Sequence, residues 1–313
     1  MGRYILRRLV AILPVCLGIS LLAFALGALA PGDPAATLYQ HLYDQPAPSE
    51  EALETFRQEW GLNDPLPVRY ARWAVAAVQG DLGFSYRTGQ PVLTELAQGL
   101  RRTLELATLG LVASVAIAFP LGVFSAVRHN SAADSLIRAV SMGIAAMPSY
   151  WMAYLLILVF AVWLRLLPVA GSGTWRHLVL PVATIGIGGS IGLSRLLRSS
   201  MLEVLGQDYI RTAISKGLAT GHVVVGHALR NALIPAVTMM GRNFGALLTG
   251  SVIAETVFSR PGVGRVVLDA IFFRDYPVIQ GFVMFSGVLF LLVNLVVDLS
   301  YAWIDPRIRL AEA

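Results

Sequence analysis

Long apolar runs constrain this chain more than any other feature. A helix needs about 20 apolar residues to cross the hydrocarbon core of a bilayer. The sequence has six such runs, at Leu9–Ala30, Leu106–Val127, Ala139–Leu164, Leu178–Ser194, Ala232–Ala254 and Val278–Ile304. Inside lipid only helices and closed barrels satisfy the backbone, and continuous rather than alternating runs favour helices. The sequence therefore predicts an all-α membrane protein with six transmembrane helices.

The charge content supports a membrane location. Charged residues make up 14% of the 313 residues, compared with about 25% in soluble domains, so much of the surface must face lipid. We therefore interpret the net charge of +5 as a signal for the orientation of the chain in the membrane, and we expect no nucleic-acid partner. Cys16 lies alone in the first apolar run, which excludes a disulfide framework. That run exceeds the core of a signal peptide, about 7–15 residues, so we interpret it as a retained helix.

The basic residues predict the orientation of the spans. Half of the 24 lie before the first span, in the second and fourth connections and in the tail: Arg3, Arg7, Arg8, Arg128, Arg138, Arg195, Arg198, Arg211, Lys216, Arg230, Arg307 and Arg309. With six spans all of these segments lie on one side, which the positive-inside rule identifies as the cytoplasm. We therefore expect both termini, including the tail 305–313, in the cytoplasm, and the acid-rich connection 31–104 outside.

This outer connection is too long for a plain loop, so we expect it to carry structure. Ser49 followed by two glutamates is typical of a helix start, and Leu53, Phe56 and Trp60 form one apolar stripe. A second short helix is predicted at Pro67–Gln79. These helices would cap the mouth of a channel, contact an external partner, or simply pack on the membrane core.

The residue patterns needed for catalysis or for an energy source are missing from the sequence. It contains no G-x-x-x-x-G-K-[ST] phosphate-binding loop and no nucleophile elbow. The histidines are scattered, at His41, His129, His177, His222 and His227. The last two are close in sequence, but on an α-helix a five-residue spacing places them on different faces. We therefore predict that this chain is not an enzyme and binds no metal or cofactor itself.

Three polar residues fall inside predicted spans: Arg242 in the fifth, and Asn294 and Asp298 in the sixth. A charge in lipid costs about 2.5–3.5 kcal/mol on insertion scales, so it usually faces a pathway or a partner. Arg242 would line a substrate path, form an ion pair, for example with Asp298, or extend to the membrane surface. Asp298 lies nearer the cytoplasmic end and is interpreted as structural.

Two further features concern the shape and packing of the spans. Pro148 should kink the third span, because proline removes a backbone donor from a helix. Gly186, Gly188, Gly189 and Gly192 make the fourth span rich in small residues. Such a pattern favours close helix–helix contact over a ligand site.

The cytoplasmic connection 195–231 is the most informative segment. Gln207–Lys216 is predicted as a short surface helix, and Tyr209, Ala213 and Gly217 recur every four residues and share a face. Tyrosine offers a projecting ring, alanine a flat patch, and glycine lets a partner backbone approach closely. A membrane transporter without its own ATPase needs such a docking face.

Asp208–Leu218 reads D-Y-I-R-T-A-I-S-K-G-L. It resembles the cytoplasmic "EAA" loop of the inner-membrane permeases of the dipeptide/oligopeptide/nickel ABC importer family. Ala213 and Gly217 match the alanine and glycine of that loop, whereas Arg211 and Thr212 stand where its general form has glutamate and alanine. The resemblance implies that the segment docks on an ATPase subunit. The implied coupling residues are Asp208, Tyr209, Arg211, Thr212, Ala213, Lys216, Gly217 and Leu218.

Shorter segments with the same family resemblance extend along the whole chain. They are Arg3–Arg8, Pro31–Pro34, Gly80–Gly83, Glu255–Phe258, Pro261–Arg265, Arg274–Gln280, Asn294–Asp298 and Asp305–Arg309. The resemblance implies a type I ABC importer permease fold. In it, transmembrane helix 1 occupies 1–30, a periplasmic region with short helices 31–104, a five-helix core 105–304, and a cytoplasmic tail 305–313.

The same resemblance implies the partners. A second, homologous permease completes the pore, most simply as a heterodimer, and two ATP-binding subunits carry ATP and Mg. A periplasmic or lipid-anchored solute-binding protein delivers the substrate. The chain would then be a multi-pass subunit of the bacterial inner membrane. An ion-coupled secondary transporter is the alternative, but that class needs intramembrane acids, and only Asp298 qualifies.

The substrate class stays open between nickel or a metal chelate and di- or oligopeptides. The outer connection Arg165–His177 is short, as in nickel-type and glutathione-type permeases, and Phe84–Gly89 with Pro148–Trp151 favours the nickel branch. No histidine or cysteine cluster supports binding of the bare metal, so specificity would lie mainly in the solute-binding protein.

Overall fold

The computed structural model describes residues 2–29, 33–43 and 49–304, but not the side chains of 2–9, 34, 37, 41–42, 249–250 and 297–304. The helices are α1 (Gly2–Ala28), α2 (Pro34–Tyr43), α3 (Glu50–Glu59), α4 (Leu66–Val78), α5 (Val92–Val127), α6 (Ala132–Ala145), α7 (Ser149–Leu156), α8 (Arg176–Leu205), α9 (Asp208–Ser215), α10 (Thr220–His222), α11 (Arg230–Gly250), α12 (Val252–Val257), α13 (Val263–Phe272) and α14 (Tyr276–Ile304). Two π-helical stretches, Ile157–Trp163 and Val223–Leu229, follow α7 and α10.

Some predictions from the sequence fall outside the described residues. These are the predictions on residues 30–32, on the tail 305–313 with Arg307 and Arg309, and on the side chains of Arg3, Arg7, Arg8 and Asp298.

Five helical stretches of the described chain are long and apolar enough to cross a membrane: Val10–Ala28, Val92–Val127, Arg176–Leu205, Thr220–Leu248 and Tyr276–Val296. A sixth is present if the bent pair Ala132–Ala145 and Ser149–Trp163 counts as one span. The all-α membrane fold predicted from hydropathy is therefore confirmed, with five or six spans.

The third predicted span bends far more sharply than an ordinary proline kink. Its two halves meet at 102°, with Pro148 at the start of the second half. Proline disfavours helical geometry in the residue before it, so α6 ends before Met147 and α7 begins as a new helix. The predicted kink is present, but it divides the run.

The helices that carry the second, fourth and fifth predicted spans differ from the predicted bounds. The helix α5 begins at Val92, before the expected start at Leu106. The helix α8 continues to Leu205, beyond the expected end at Ser194, because Leu, Arg, Met and Glu are strong helix formers and hydropathy marks only the limit of the lipid. The helix α11 ends at Gly250, before the expected end at Ala254. Ser251 there leaves helical geometry with ψ of 39°.

One compact unit contains the described residues of the ranges 2–102 and 261–304. In it, α1 and α14 pack antiparallel. The Gln280 side-chain amide donates to the Phe24 carbonyl at 3.3 Å. Further along, Ile19 lies 2.8 Å from the position that a Cβ on Gly287 would take.

The helices predicted in the long connection are present in this unit. The first is α3, on which Leu53 and Phe56 are buried while Trp60, just beyond its end, stays half exposed. The second is α4, close to the predicted Pro67–Gln79. The ring of Phe56 also packs edge-on against Tyr39 of α2, so α2 and α3 form a small core of their own.

The other unit contains residues 103–260, and α8 packs there against both α5 and α11. A Cβ on Gly186 would lie 2.7 Å from the Ala113 side chain, and one on Gly189 would lie 2.5 Å from Ser114 Oγ. Larger side chains would force these helices apart. The close helix–helix packing predicted from the glycines is therefore confirmed.

Candidate coupling helix and intramembrane groove

The short helix α9 ends in a backbone arrangement that requires a left-handed residue. The Gly217 N–H donates to the Ile214 carbonyl at 2.9 Å, and the Leu218 N–H donates to the Ala213 carbonyl at 3.4 Å. This pair of bonds closes a helix through a left-handed residue just past its end, and Gly217 has φ of +80°. The glycine therefore has a conformational role in addition to any close approach of a partner.

The buried face of α9 is not the one expected from the sequence. Ile210 is buried and Ala213 is only 9% exposed, because residues three apart on a helix share a face and this pair faces the core. Ala213 therefore does not form an exposed patch, and that interpretation was wrong. The exposed residues of the segment are Asp208, Tyr209, Arg211, Thr212, Ile214, Ser215, Lys216, Gly217 and Leu218.

Ile214 is a candidate docking residue that the sequence analysis missed. Its side chain is 57% exposed, among exposed residues of α9 that are mostly polar. The pattern Ile210–Ile214 suggests two buried residues one turn apart. The core beneath α9 ends at Ala213, however, so Ile214 projects away from it.

Tyr209 is fixed to the start of α11. Its hydroxyl accepts a hydrogen bond from Asn231 Nδ2 at 2.9 Å, and the same nitrogen donates to the His227 carbonyl at 3.1 Å. The ring remains nearly half exposed. The projecting ring predicted from the sequence is thus present, and its orientation is set by a residue 22 positions further along the chain.

A compact core joins α9 to the membrane helices. Leu197 and Met201 of α8, Ile210 of α9, and Val223 and Ala228 of the π-helical stretch are all buried in one cluster. Full burial of a Leu, Ile or Met side chain contributes about 1.5–3 kcal/mol. The α9 helix is therefore packed on the ends of two candidate spans rather than carried on a free loop.

The π-helical stretch also corrects the prediction for the histidines. His222 and His227 were expected on different faces, but their ring centroids lie 5.7 Å apart. In a π-helix the backbone hydrogen bonds join residues five apart rather than four, which brings side chains five apart closer together. Among the described residues, no group of three His, Cys, Asp or Glu side chains could hold a metal ion.

Asp134 and Arg198 form an ion pair that the sequence analysis did not identify. Asp134 is fully buried and accepts from Arg198 Nε at 2.9 Å and Nη2 at 2.8 Å. The Ser125 hydroxyl donates to the same carboxylate, as does the Asn130 backbone N–H at 3.1 Å. The start of α6, the end of α5 and the distal part of α8 are therefore held together by one carboxylate.

A local signal for this pair exists in the sequence. Ser131 Oγ accepts from the Asp134 N–H at 3.2 Å, so Ser131 and Asp134 have the serine-to-acid spacing of a helix cap. The carboxylate, however, bonds Asn130 and Arg198 instead of completing the cap.

An open groove of about 640 Å³ lies among the helices of the second unit. It is lined by Leu111, Ser114, Ser149, Thr184, Ile185, Gly188, Gly189, Gly192, Leu193, Met239, Asn243, Ala246, Leu247, Ser251, Val252, Ile253 and Ala254. Its described lining contains hydroxyl and amide groups but no charged side chain. A Cβ on Gly188 would meet no atom within 4 Å, so this glycine leaves the groove open, whereas Gly186 and Gly189 serve packing.

Arg242 lies beside this groove on α11. Its side chain is exposed, and Met239 and Asn243, neighbours on the same helix, line the groove. None of the described carboxylates lies within ion-pair distance of Arg242. The expected partner Asp298 has a side chain outside the described residues, and Asn294 is half-buried on α14.

The α12 helix is fixed by a buried acid in Glu255–Phe258, one of the segments that resemble the permease family. Glu255 is buried and accepts from Thr103 Oγ1 at 2.6 Å and from Ser251 Oγ at 2.8 Å. Arg260, also buried, donates to Glu105 at 3.0 Å. These contacts tie the second half of α12 and the turn after it to α5, next to the groove.

Two family models match the chain. Residues 118–310 match the binding-protein-dependent transport system inner membrane component, and residues 1–107 match the N-terminal part of such membrane components. The chain belongs to this family. It is therefore a permease subunit of an ABC importer, a multi-pass protein of the inner membrane that works with ATPase and solute-binding partners, and it is not an enzyme. The ion-coupled alternative is excluded by this assignment.

Individual relatives agree over the full length. The probable peptide ABC transporter permease protein y4tP of Sinorhizobium fredii is 41% identical, covering 99% of this chain and 100% of its own. The glutathione transport system permease protein GsiC of Escherichia coli O6:H1 is 40% identical, covering 99% of each chain.

A solved structure confirms the fold. An inward-facing structure of the MetNI methionine ABC transporter matches with a TM-score of 0.58 and 17% identity, covering 67% of this chain and 96% of that one. The type I ABC importer permease fold implied by the resemblance is therefore present.

Proposed function

We propose that α9 and the turn after it, Asp208–Leu218, form the surface through which this permease receives mechanical work from an ATPase subunit. The observation that carries the proposal is an exposed helix with a projecting Tyr209 and Ile214, packed firmly on α8 and the start of α11. A docking element must be both accessible and rigidly attached, because a force applied to a loose loop would be lost in the loop. The short core of Leu197, Met201 and Ile210 supports the second requirement.

The exposed side chains have different roles in docking. Tyr209, Ile214 and Leu218 supply apolar area, while Arg211 and Lys216 supply positive charge. Asp208 lies 3.5 Å from Arg211, an exposed pair that contributes little by itself. Gly217 holds the turn, and Ala213 holds the helix against its core.

We also propose how the complete importer is assembled. This chain forms half of a pore with a second, homologous permease, two ATPase subunits carry ATP and Mg, and a solute-binding protein delivers the substrate. The positive-inside rule applied to the basic connections supports a cytoplasmic location for α9 and both termini, and a periplasmic location for residues 31–104.

The groove beside Asn243 is the part of the pathway that this chain contributes. Its hydroxyl and amide groups suit a substrate with peptide bonds, which offers both donors and acceptors. The named relatives y4tP and GsiC concern peptides and glutathione, whereas the nickel branch has no support among them. The described lining also lacks the imidazole and thiolate groups that bind nickel. Arg242 lies beside the groove, in position to meet a substrate carboxylate or a partner helix.

The docking role is tested by comparing two exposed isoleucines. Ile214 is 57% exposed on α9, and Ile271 is 54% exposed on α13. We expect Ile214→Glu to reduce co-purification of the ATPase subunits and substrate uptake, because a charge would be buried against the partner. Ile271→Glu should leave both unchanged. Normal association and uptake with Ile214→Glu would remove the docking role.

The substrate assignment is tested separately in vesicles that carry the whole importer. ATP-dependent uptake of a labelled dipeptide or of glutathione, and none of nickel, is expected. ATP-dependent nickel uptake that peptides do not compete with would overturn the peptide assignment and leave the docking role intact.

A further inference from the structure

A second cavity, of about 280 Å³, lies in the unit that contains α1 and α14. Its lining includes Phe24 and Gly27 from the last two turns of α1, and Tyr276 and Gln280 from the first two turns of α14. Both spans end at this level. The cavity therefore lies at one surface of the membrane, whichever way the chain is oriented.

The walls of this cavity are aromatic. Trp60, Trp73, Tyr86 and Tyr276 line it together with Phe24, and the rings of Phe24 and Trp73 lie 6.0 Å apart. Tryptophan and tyrosine are enriched where membrane proteins meet lipid headgroups, because one end of the ring system is apolar and the other polar. The composition of the walls agrees with a position at the headgroup level.

The charge of the cavity is positive. Arg69 and Arg72 line it, and none of its described lining residues is acidic. Arg72 is paired with Asp64 at 2.8 Å, but no described carboxylate lies within ion-pair distance of the half-buried Arg69.

Arg57 in the same unit is, by contrast, an arginine that is paired with several carboxylates. It contacts Asp33, Glu50 and Glu54 at 2.6–2.9 Å. A partly desolvated guanidinium without a counter-ion is costly, so the Arg69 cavity is suited to an anion.

Tyr86 adds no negative charge to the cavity. Burial raises the pKa of its hydroxyl to about 12, and the nearby charge of Asp275 acts in the same direction. The hydroxyl therefore stays protonated at physiological pH and keeps its capacity to donate a hydrogen bond.

We propose that this cavity binds the phosphate of an anionic phospholipid, with Arg69 as its counter-ion and the tryptophan rings against the glycerol backbone. A lipid fits better than a soluble anion, because the floor is apolar and Leu22 and Leu26 of α1 are exposed below it. Acyl chains extending from the cavity would cover these side chains. The bound lipid would hold α4 against the ends of α1 and α14.

The test uses the purified importer, reconstituted in nanodiscs that contain equal amounts of phosphatidylglycerol and phosphatidylcholine. Native mass spectrometry then identifies the lipids that the importer retains after it is released from the nanodiscs. The wild type should retain phosphatidylglycerol in preference. Arg69→Gln should weaken this retention about fivefold, the factor that corresponds to about 1 kcal/mol for one arginine at an anionic membrane surface. Arg69→Lys should keep most of it.

The matched control is Arg101→Gln, since Arg101 is an exposed arginine of the same unit that does not line the cavity. It should retain lipid like the wild type. Unchanged phosphatidylglycerol retention by Arg69→Gln would overturn the proposal. So would full displacement of the lipid by millimolar inorganic phosphate or by a substrate peptide, since either result would identify the site as one for soluble anions. Co-purification of the ATPase subunits verifies that each variant is folded.

Discussion

Arg198 of α8 binds Asp134 of α6 through two parallel N–H···O bonds of 2.9 and 2.8 Å. The carboxylate is fully buried and also accepts from Ser125 of α5. Arg198 lies on the part of α8 that leads into α9, and Asp134 begins the helix that turns sharply at Pro148. The pair therefore connects α8, the helix that leads into the proposed docking helix, to the first half of the bent third span.

Breaking this pair should destabilise the permease strongly. Removing one partner of a buried ion pair costs about 3–5 kcal/mol, because the other charge is left uncompensated. Asp134→Ala should therefore lower the midpoint of thermal unfolding in detergent. Asp269→Ala serves as the control, since Asp269 is half-exposed and 4.0 Å from Arg265, and a pair of this kind contributes at most about 1 kcal/mol. Equal midpoints for the two variants would contradict the role given to Asp134.

Gly217→Ala should strain the turn after α9. The residue has φ of +80°, and a left-handed conformation costs an L-residue about 1–2 kcal/mol. A Cβ there would meet no atom of this chain within 4 Å. Any loss of ATPase association would therefore come from backbone strain in the turn or from a clash with the partner subunit. Gly221→Ala, equally open but in ordinary helical geometry, should behave like the wild type. The measurement is co-purification of the ATPase subunits, and the account fails if both variants associate equally.

Gly188→Leu should block uptake without unfolding the chain. A Cβ at Gly188 would meet no atom within 4 Å, so the larger side chain would fill the groove rather than push helices apart. Gly143 of α6 is equally open and does not line the groove. Gly143→Leu should therefore keep normal uptake. Undiminished uptake by Gly188→Leu, with normal assembly, would show that the substrate passes elsewhere.

Stability should fall at high pH because of Tyr86. Burial, then the charge of Asp275, raises the pKa of its hydroxyl from 10.0 to about 12. Between these values the unfolded chain loses the proton while the folded chain keeps it, so the free energy of unfolding decreases as pH rises through this window. Below it the contribution is fully present.

The corresponding measurement is thermal unfolding at about pH 8 and about pH 11. Between these two pH values, the unfolding midpoint of Tyr86→Phe should fall less than that of the wild type. Tyr43→Phe, at an exposed tyrosine, should lose as much as the wild type. Parallel losses in all three proteins would argue against this account of Tyr86.

Hydropathy and one motif were enough to predict most of the architecture. The apolar runs located the spans, because the cost of burying polar groups in lipid acts on each segment separately. The surface helix predicted at Gln207–Lys216 matches α9 to within one residue at each end. Such features depend on local sequence, so they can be predicted without knowing how the helices pack.

Features that depend on distant residues could not be predicted. Ala213 faces inward because it packs in one cluster with Leu197 and Met201 of α8. No local sequence pattern links these residues to Ala213. The pairing of Asp134 with Arg198 joins residues 64 positions apart. The contact of His222 with His227 requires a π-helix, and α-helical spacing gave the wrong result.

Site-directed photocross-linking tests the central claim most directly. In a Cys16→Ser background the chain has no other cysteine, so a benzophenone probe can be placed at Thr212→Cys on the exposed face of α9, or at Thr88→Cys in the other unit as control. In the assembled importer, the account predicts a cross-link from position 212 to an ATPase subunit and none from position 88. An active importer in which position 212 never reaches an ATPase subunit would contradict it.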